Sequence, residues 1–426
     1  MTEEKIEIAA AKVATPGSWK ILLLLVAMNG IAPISLYILV PALPILATTF
    51  VSDVSAVQLN VSLFMVGLAM SQLVTGPLSD RFGRRPVLLS GLGLMVAATI
   101  VCIFAQTLPQ LIAGRFLQAV GGAAGMVMSR AVIRDLYPRE RVGGMISLVI
   151  GVMMIAQLIS PLIGGLLETS FGWRSIFYAM AGASIFVTAI IAFGLPETRR
   201  LAADGDRPGF IKDSRTLLSS RAYIGYALCQ VLASSIIFTF AGGGPYLVVS
   251  QMGRTTAEYG AWFAVTGFAF LIGNLSSARV SHRYTLDQLI WFGLAIQIGG
   301  ALLNVLWAAI GFDQTPAWLF GTQMLVMFAN AFVMSHSAAG AISVRPLAAG
   351  TASGLMGFVQ MGFGSLCSQF GAYLGGNFRS TLPLTICIVA LSLACAATMI
   401  FLIPRQRKVL TADVKRKADQ EDTGLL

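Results

Sequence analysis

Long apolar runs separated by short polar segments dominate the chain. The runs match the ~20 residues that a helix needs to cross a bilayer. None alternates strictly as a membrane β-barrel strand does, so helices are the spanning element that satisfies the backbone in lipid. The pattern predicts an all-α membrane protein with twelve transmembrane helices in two six-helix halves. The predicted spans are 20–46, 57–78, 87–106, 109–129, 142–166, 175–195, 222–249, 258–278, 287–310, 316–341, 350–375 and 381–403.

The longest polar stretch between spans, residues 197–221, lies near mid-chain and separates six spans from six. This arrangement predicts two halves related by an axis along the membrane normal. The predicted organisation is a cytoplasmic N-terminal tail (1–19), an N-terminal six-helix bundle (20–195), a central cytoplasmic loop (196–221), a C-terminal six-helix bundle (222–403) and a cytoplasmic C-terminal tail (404–426).

Composition supports a lipid environment. Hydrophobic residues make up 56% of the chain and charged residues 11%, whereas soluble proteins carry about 25% charged residues. On the predicted topology, 25 of the 29 Lys and Arg fall on one side. This bias places both termini in the cytoplasm. The net charge of +10 is therefore a topology signature, and no nucleic-acid partner is expected.

No sequence pattern points to an enzyme or a cofactor. The chain has two His and five Cys, with no Cys-x-x-Cys pair and no phosphate-binding loop. We therefore expect no metal, no cofactor and no catalytic residues. An intramembrane enzyme or a non-transporting sensor stays open as the less favoured alternative.

A dense polar segment, GPLSDRFGRRPVL at 76–88, follows the second span. It resembles, at every key position, the loop 2–3 signature of the major facilitator superfamily. Because Gly76 has no side chain, it is expected to let helices 2 and 11 approach closely. A basic loop that serves topology alone is the alternative, and a weaker counterpart lies at the end of span 8, at 273–284. The resemblance implies gating roles for Gly76, Asp80, Arg81, Gly83, Arg84, Arg85, Arg134 and Asp135.

Arg115 begins a stretch that resembles the family's helix 4 pattern R-x-x-Q-G-x-G. An arginine inside a span costs at least ~2.5 kcal/mol, so it should face a cavity or a partner. Snorkelling to the membrane surface is the alternative.

A third stretch, SPLIGG at 160–165, resembles the helix 5 motif G-P-x-x-G-G of the superfamily's antiporters. Small residues and a proline permit close helix crossing and a kink. The resemblance implies an antiporter motif made of Gly151, Pro161, Gly164 and Gly165, with generic packing as the alternative.

Further stretches narrow the resemblance to the bicyclomycin/chloramphenicol-resistance (Bcr/CflA) type of drug:proton antiporter. They are RDLY at 134–137, GWRSIF at 172–177, GPY at 244–246, YG at 259–260 and GTASGLMGFVQ at 350–360. The resemblance implies a monomeric exporter of small organic molecules in a bacterial inner membrane, with antibiotic resistance as an outcome. Membrane lipids and protons are the other expected partners.

One position departs from this resemblance. Tyr37 stands where helix 1 of that type carries an acid. The remaining proton-coupling candidates are Arg115, His336 and Asp80, although a His packed against a carbonyl or hydroxyl is equally compatible with the sequence. A dedicated exporter of a metabolite such as a siderophore, or an uncoupled facilitator, therefore remains an alternative.

The predicted substrate cavity uses polar or adaptable groups on inward faces. The 18 Met and 25 Phe suit a pocket that repacks around different substrates. The cavity candidates are Asn29, Tyr37, Gln72, Gln118, Gln157, Gln230, Phe238, Tyr246, Asn330 and Gln360.

Overall fold

A computed structural model describes residues 19–137, 139–198, 210–311, 315–345 and 348–403. The predicted terminal tails, apart from residue 19, lie outside these ranges, as does the middle of the predicted central loop. Twelve helices of 20 or more residues account for most of the described chain. They are α1 (Trp19–Ile38), α2 (Val54–Phe82), α3 (Arg84–Ile103), α4 (Leu108–Leu136), α5 (Arg139–Phe171), α6 (Arg174–Gly194), α7 (Arg221–Pro245), α8 (Thr256–Val280), α9 (Leu286–Ala309), α10 (Pro316–Ser343), α11 (Ala349–Asn377) and α12 (Leu382–Phe401).

Shorter elements mark the places where proline interrupts the long helices. The first predicted span breaks after Ile38 into a 3₁₀ turn, Val40–Ala42, and a short helix, Leu43–Thr49. Each of these begins with a proline in its first turn, where the missing N–H costs nothing. A π-helical turn, Tyr246–Gln251, extends α7, and a nine-residue helix, Phe210–Leu218, precedes it.

Two helices continue further than the sequence predicts. The helix α2 runs through the polar segment as far as Phe82, and α4 runs to Leu136. The helices extend beyond the predicted span ends at 78 and 129 because charge alone does not terminate a helix at a membrane surface. The break comes at Gly83, whose φ of 102° no helix tolerates.

Within the described residues, eleven segments are long and apolar enough to cross a membrane. The helix α11 is not among them, although its 29 residues contain no charged side chain. Its sequence is rich in Gly, Ser and Gln, which lowers its hydropathy. Small and weakly polar residues of this kind favour contact with other helices over contact with lipid.

Helix packing repeats along the chain with a shift of six. The pairs α1–α5, α2–α4, α3–α4 and α3–α6 have counterparts in α7–α11, α8–α10, α9–α10 and α9–α12. Two extensive contacts, α5–α8 and α2–α11, join the first six helices to the last six. We name the end where α1 leads into α2 the Asp53 end, and the end where α2 meets α3 the Gly83 end. The exact boundaries of the two predicted bundles stay a prediction.

Candidate functional site

Polar side chains join α2 to α11 near the Asp53 end. The Gln58 amide donates to the Ser368 hydroxyl at 2.8 Å, and the Ser62 hydroxyl donates to the Gln369 amide oxygen at 3.0 Å. The Ser365 hydroxyl donates to the Ser62 carbonyl at 2.9 Å. These groups are neutral, so water can replace each partner at small cost when the helices separate.

A second contact at the same end joins α5 to α8. The Thr256 hydroxyl donates to the Glu168 carboxylate at 2.6 Å and lies 2.8 Å from the Thr169 hydroxyl. The backbones also approach closely, because a Cβ at Gly165 would overlap the Thr256 carbonyl. Together the two contacts close the Asp53 end of the bundle.

A cavity of about 290 Å³, the main cavity, lies between α1, α2, α4, α5 and α11. The α4 and α11 residues recur at three- and four-residue intervals, so each helix presents one continuous stripe to the cavity. The lining residues are Asn29, Gln72, Met126, Ser129, Arg130, Ile133, Ile146, Val149, Met153, Ser353, Met356, Gly357, Gln360 and Met361.

A smaller cavity of about 70 Å³, the inner cavity, is bordered by α1, α5, α7, α8 and α10. It is mostly apolar, with hydroxyl and amide groups at Tyr37, Gln157 and Thr266. Its lining residues are Tyr37, Met154, Gln157, Leu158, Ile237, Phe263, Thr266, Gly267, Phe270 and Met327.

Half of the cavity residues expected from the sequence line one of these spaces. Asn29, Gln72 and Gln360 line the main cavity, and Tyr37 and Gln157 line the inner cavity. The other five do not line either space in this conformation. They are Gln118, Gln230, Phe238, Tyr246 and Asn330.

Helix–helix contacts occupy those five side chains. The Asn330 amide donates to the Ala233 carbonyl at 3.0 Å, and Gln230 accepts from a serine hydroxyl of α10. Phe238 packs where a Cβ at Gly364 would stand, and Tyr246 is 1% exposed. For Gln230 and the Asn330 NH2 group, a neighbouring helix supplies the hydrogen-bond partner that a cavity could have supplied.

Arg130 lines the main cavity, a position that sequence reasoning missed. The sequence pattern predicts a loop charge beyond span 4 at this position, whereas Arg130 lies in the last two turns of α4. The absence of Gly or Pro between Gly125 and Pro138 was the available signal, because nothing there ends a helix.

Arg115 lies inside the bundle and not in either cavity lining. It is 1% exposed, so the snorkelling alternative is wrong. Its guanidinium donates to the hydroxyl and the carbonyl of Ser35 at 2.9 and 3.0 Å, and to the Gln118 amide oxygen at 2.5 Å. It also stacks over the Phe64 ring at 4.1 Å. Arg115 thus ties α4 to α1 and α2 through neutral partners.

His336, a residue of α10, packs against α8. Its Nδ1 atom lies 2.9 Å from the Phe332 carbonyl oxygen and 3.3 Å from the Ser277 hydroxyl. The side chain is buried and lines neither cavity. This geometry matches the packed alternative that the sequence left open.

A charge cluster surrounds the start of α3 at the Gly83 end. The Arg84 side chain pairs with Asp135 at 3.4 Å and donates to the Ser79 hydroxyl at 2.6 Å. The Arg85 guanidinium donates to the Ala192 carbonyl at 2.7 Å. Arg81, an exposed residue, lies over the Phe82 ring. The side chains of Asp80 and Arg134 lie outside the part that the structure describes.

Glu197, in the segment after α6, completes this cluster. Its carboxylate accepts from the backbone N–H groups of Arg84 and Arg85 at 2.9 and 3.1 Å. These N–H groups have no partner inside the helix, and the helix dipole favours a negative charge there. Sequence reasoning missed Glu197 because its partners lie 113 and 112 residues away.

The two glycines of the polar segment differ in their surroundings. At Gly83, φ is 102° and ψ is 157°, and a Cβ would lie 2.8 Å from a Glu197 carboxylate oxygen. At Gly76, nothing lies within 4 Å of an added Cβ. The expectation that Gly76 allows close approach to α11 is therefore wrong in this conformation, because the tight contacts lie towards the Asp53 end.

We expect Gly83→Ala to destabilise the protein and Gly76→Ala to have little effect. The backbone of Gly83 lies in a region essentially restricted to glycine, where another residue costs about 1–3 kcal/mol. The added methyl would also displace the Glu197 carboxylate. Thermal unfolding of the two purified variants in one detergent checks the prediction, and equal midpoints would contradict it.

The helix 5 motif uses its small residues at helix crossings. A Cβ at Gly164 would overlap the Ile38 carbonyl of α1, and Gly165 contacts α8 at Thr256. The Pro161 carbonyl lies where a Cβ at Gly260 of α8 would stand. Gly151 has nothing within 4 Å of an added Cβ. Three of the four motif residues therefore lie where α5 crosses another helix.

These features define a class of protein: a multi-pass helical membrane carrier with cavities between its helices and closure at one end. The sequence pattern of the Major Facilitator Superfamily matches residues 25–368. The chain belongs to this superfamily.

Two known relatives are similar to the chain in sequence, and a solved structure is similar to it in fold. Multidrug resistance protein D of Escherichia coli (strain K12) is 29% identical over 373 residues, which cover 87% of this chain and 93% of the relative. Multidrug resistance protein MdtL of the same strain is 29% identical over 378 residues, covering 87% and 91%. The crystal structure of a bacterial homologue of the human lysosomal transporter Spinster, inward-facing and unoccupied, superposes with a TM-score of 0.70 at 17% identity, covering 92% and 95%.

Membership confirms several predictions. The chain has the twelve-helix fold of this superfamily, it is a multi-pass membrane protein that transports small molecules, and it is not an enzyme. The similarity to the solved structure concerns the fold alone.

Proposed function

We propose that the protein exports small organic molecules, drug-like compounds among them, from the bacterial cytoplasm in exchange for protons. Among drug exporters, we assign it to the Bcr/CflA type. The main cavity carries this proposal, because it lies between helices of both predicted halves while the Asp53 end is closed. The relatives named as multidrug resistance proteins support the substrate class.

The proposed orientation follows from charge. Lys and Arg concentrate at the Gly83 end and in the two tails, which favours a cytoplasmic Gly83 end and cytoplasmic termini. With the Asp53 end facing outwards, the structure is closed towards the outside. Alternating access requires the α2–α11 and α5–α8 contacts at the Asp53 end to separate.

The gating proposal assigns a conformational role to the Gly83 end. The cluster around Arg84, Asp135 and Glu197 fixes α2, α3, α4 and the segment after α6 to one another. We propose that this cluster keeps the N-terminal helices rigid as a unit while the two halves rock. Asp80 and Arg134 remain gating candidates by their sequence position.

Proton exchange has to use a group other than the acid expected in helix 1. Tyr37 replaces the expected helix 1 acid, and no described lining residue of either cavity is acidic. Arg115, His336 and Asp80 remain the candidates. The same observation favours the alternative function, an uncoupled facilitator or a dedicated metabolite exporter on this fold.

Transport in everted membrane vesicles tests the proposal. We expect chloramphenicol, or another member of a drug-like panel, to accumulate in vesicles that contain the protein. If one proton is exchanged per molecule, an acidic lumen one pH unit below the bath should raise accumulation about tenfold. Vesicles from cells carrying an empty vector are the control, and His336→Ala should flatten the pH profile if His336 carries the proton.

Two results would contradict the proposal in different ways. A transport rate that ignores the pH gradient, and survives a protonophore, would replace antiport by facilitated transport. Failure to move any compound of the panel would overturn drug export itself.

A further inference from the structure

We propose that the main cavity selects amphiphilic organic anions, with Arg130 binding the anionic head and a methionine-rich wall holding the apolar body. This inference rests on the proposed export function and names its substrate class. Lipophilic cations are then poor substrates.

The charge of the lining is the first observation. Arg130 is the single charged side chain among the described residues that line the main cavity. The lining of the inner cavity, as far as the structure describes it, contains no charged residue. A cation that leaves water for these spaces would meet a like charge and find no carboxylate to replace its hydration.

The guanidinium of Arg130 has donors to spare. Its Nε donates to the Met126 carbonyl of its own helix at 3.3 Å. Among the described side chains, no carboxylate lies within ion-pair distance of it. A guanidinium carries five N–H donors in a planar fork that matches a carboxylate, sulfonate or phosphate group. The half-buried position strengthens such a pair relative to one in bulk water.

Neutral hydrogen-bonding groups line the same cavity as Arg130. Gln72 of α2 and Gln360 of α11 line the same cavity, and neither side chain takes part in a hydrogen bond with described residues. The Ser129 hydroxyl, one position before Arg130, donates to the Leu25 carbonyl at 3.2 Å. The amides of Gln72 and Gln360 are therefore available to orient a polar head from two different helices.

Four methionines line the cavity and would contact the apolar body of the substrate. Met126 and Met153 come from α4 and α5, and Met356 and Met361 come from α11. Thioethers are flexible and polarizable, so they adapt to aromatic surfaces of different shape. The cavity thus combines one fixed anion-binding group with a wall that tolerates varied bodies.

A pair of xanthene dyes of similar size tests the inference. Fluorescein is anionic at neutral pH, whereas rhodamine 123 is cationic. Fluorescence anisotropy with the purified full-length protein measures the dissociation constant of each dye. We expect fluorescein to bind at least roughly tenfold more tightly, since like-charge juxtaposition is strongly unfavourable.

Variants of Arg130 locate the cause. Arg130→Gln should remove the preference, Arg130→Glu should reverse it, and Arg130→Lys should keep most of it. Arg254→Gln, which makes the same charge change at an exposed loop residue, is the matched control and should keep the preference. If Arg130→Glu does not fold, the Gln and Lys variants still separate charge from shape.

The outcomes distinguish this inference from the export proposal. Equal or tighter binding of rhodamine 123 to the wild-type protein, or a preference that survives Arg130→Gln, overturns the inference even if drugs are exported. A fluorescein preference that depends on Arg130, in a protein that moves no compound in vesicles, supports the anion site and overturns export.

Discussion

Gly164→Ala is expected to abolish transport and to leave little folded protein, whereas Gly151→Ala on the same helix should change neither. A methyl group at Gly164 would overlap the carbonyl oxygen of Ile38. Neither α5 nor α1 can move away easily, because the added methyl would meet the backbone of Ile38. Ile38 is the last residue of α1, just before the 3₁₀ turn Val40–Ala42. Overpacking a core costs about 1–3 kcal/mol when side chains can adjust, and an immovable backbone places this case at the upper end or beyond.

Fluorescence-detected size exclusion of tagged variants checks the folding part, and vesicle uptake checks the transport part. Both substitutions add one methyl group to α5, so their helix propensities rise equally. The difference between them therefore reports the α1–α5 contact alone. A folded, active Gly164→Ala variant would show that α1 and α5 do not touch as described.

The fold follows from the sequence because lipid imposes a simple rule. A run of apolar residues in a bilayer must be helical, and the runs are separated by short polar segments that can be counted. The sequence pattern predicts a span at 350–375, and the helix α11 lies there even though its Gly, Ser and Gln residues lower its hydropathy. The helix was recognisable because its 29 residues contain no charged side chain.

Helix ends were harder to predict than helix existence. The charged residues of α2 and α4 suggested loops after 78 and 129, but both helices continue, to Phe82 and Leu136. Charged side chains at a membrane surface extend into water without disturbing the backbone. The error mattered for function, because it hid Arg130 from the cavity candidates.

Whether a polar side chain faces a cavity or a neighbouring helix could be predicted only in part. A helix in the middle of a membrane bundle is apolar towards lipid and towards its neighbours, so its sequence carries little amphipathic signal. Gln360 and Asn330 look alike in the sequence, yet Gln360 lines the main cavity and Asn330 bonds to the Ala233 carbonyl. The difference depends on which helices pack together, and no local pattern encodes that.

Arg115→Ala should cause the second large loss, in stability first and in transport as a consequence. The guanidinium makes three hydrogen bonds, two to Ser35 and one to Gln118, and stacks on Phe64. A hydrogen bond to a charged group contributes about 1.5–3 kcal/mol. Removing all three, and leaving buried oxygens without donors, should lower the free energy of unfolding by about 3 kcal/mol or more, even though burying the charge has its own cost.

Two further variants separate positioning from proton exchange. Ser35→Ala removes one acceptor but keeps the Ser35 carbonyl, so it should cost only about 1 kcal/mol and preserve transport. Arg115→Lys keeps the charge but loses the planar fork that reaches both Ser35 and Gln118. If Arg115 only positions α1, the Lys variant should move substrate more slowly with an unchanged dependence on the pH gradient. If it takes part in proton exchange, downhill transport should persist while the gradient no longer drives accumulation. Wild-type stability and uptake in Arg115→Ala would contradict both roles, because this side chain joins its own helix α4 to α1 by hydrogen bonds and to α2 by stacking on Phe64.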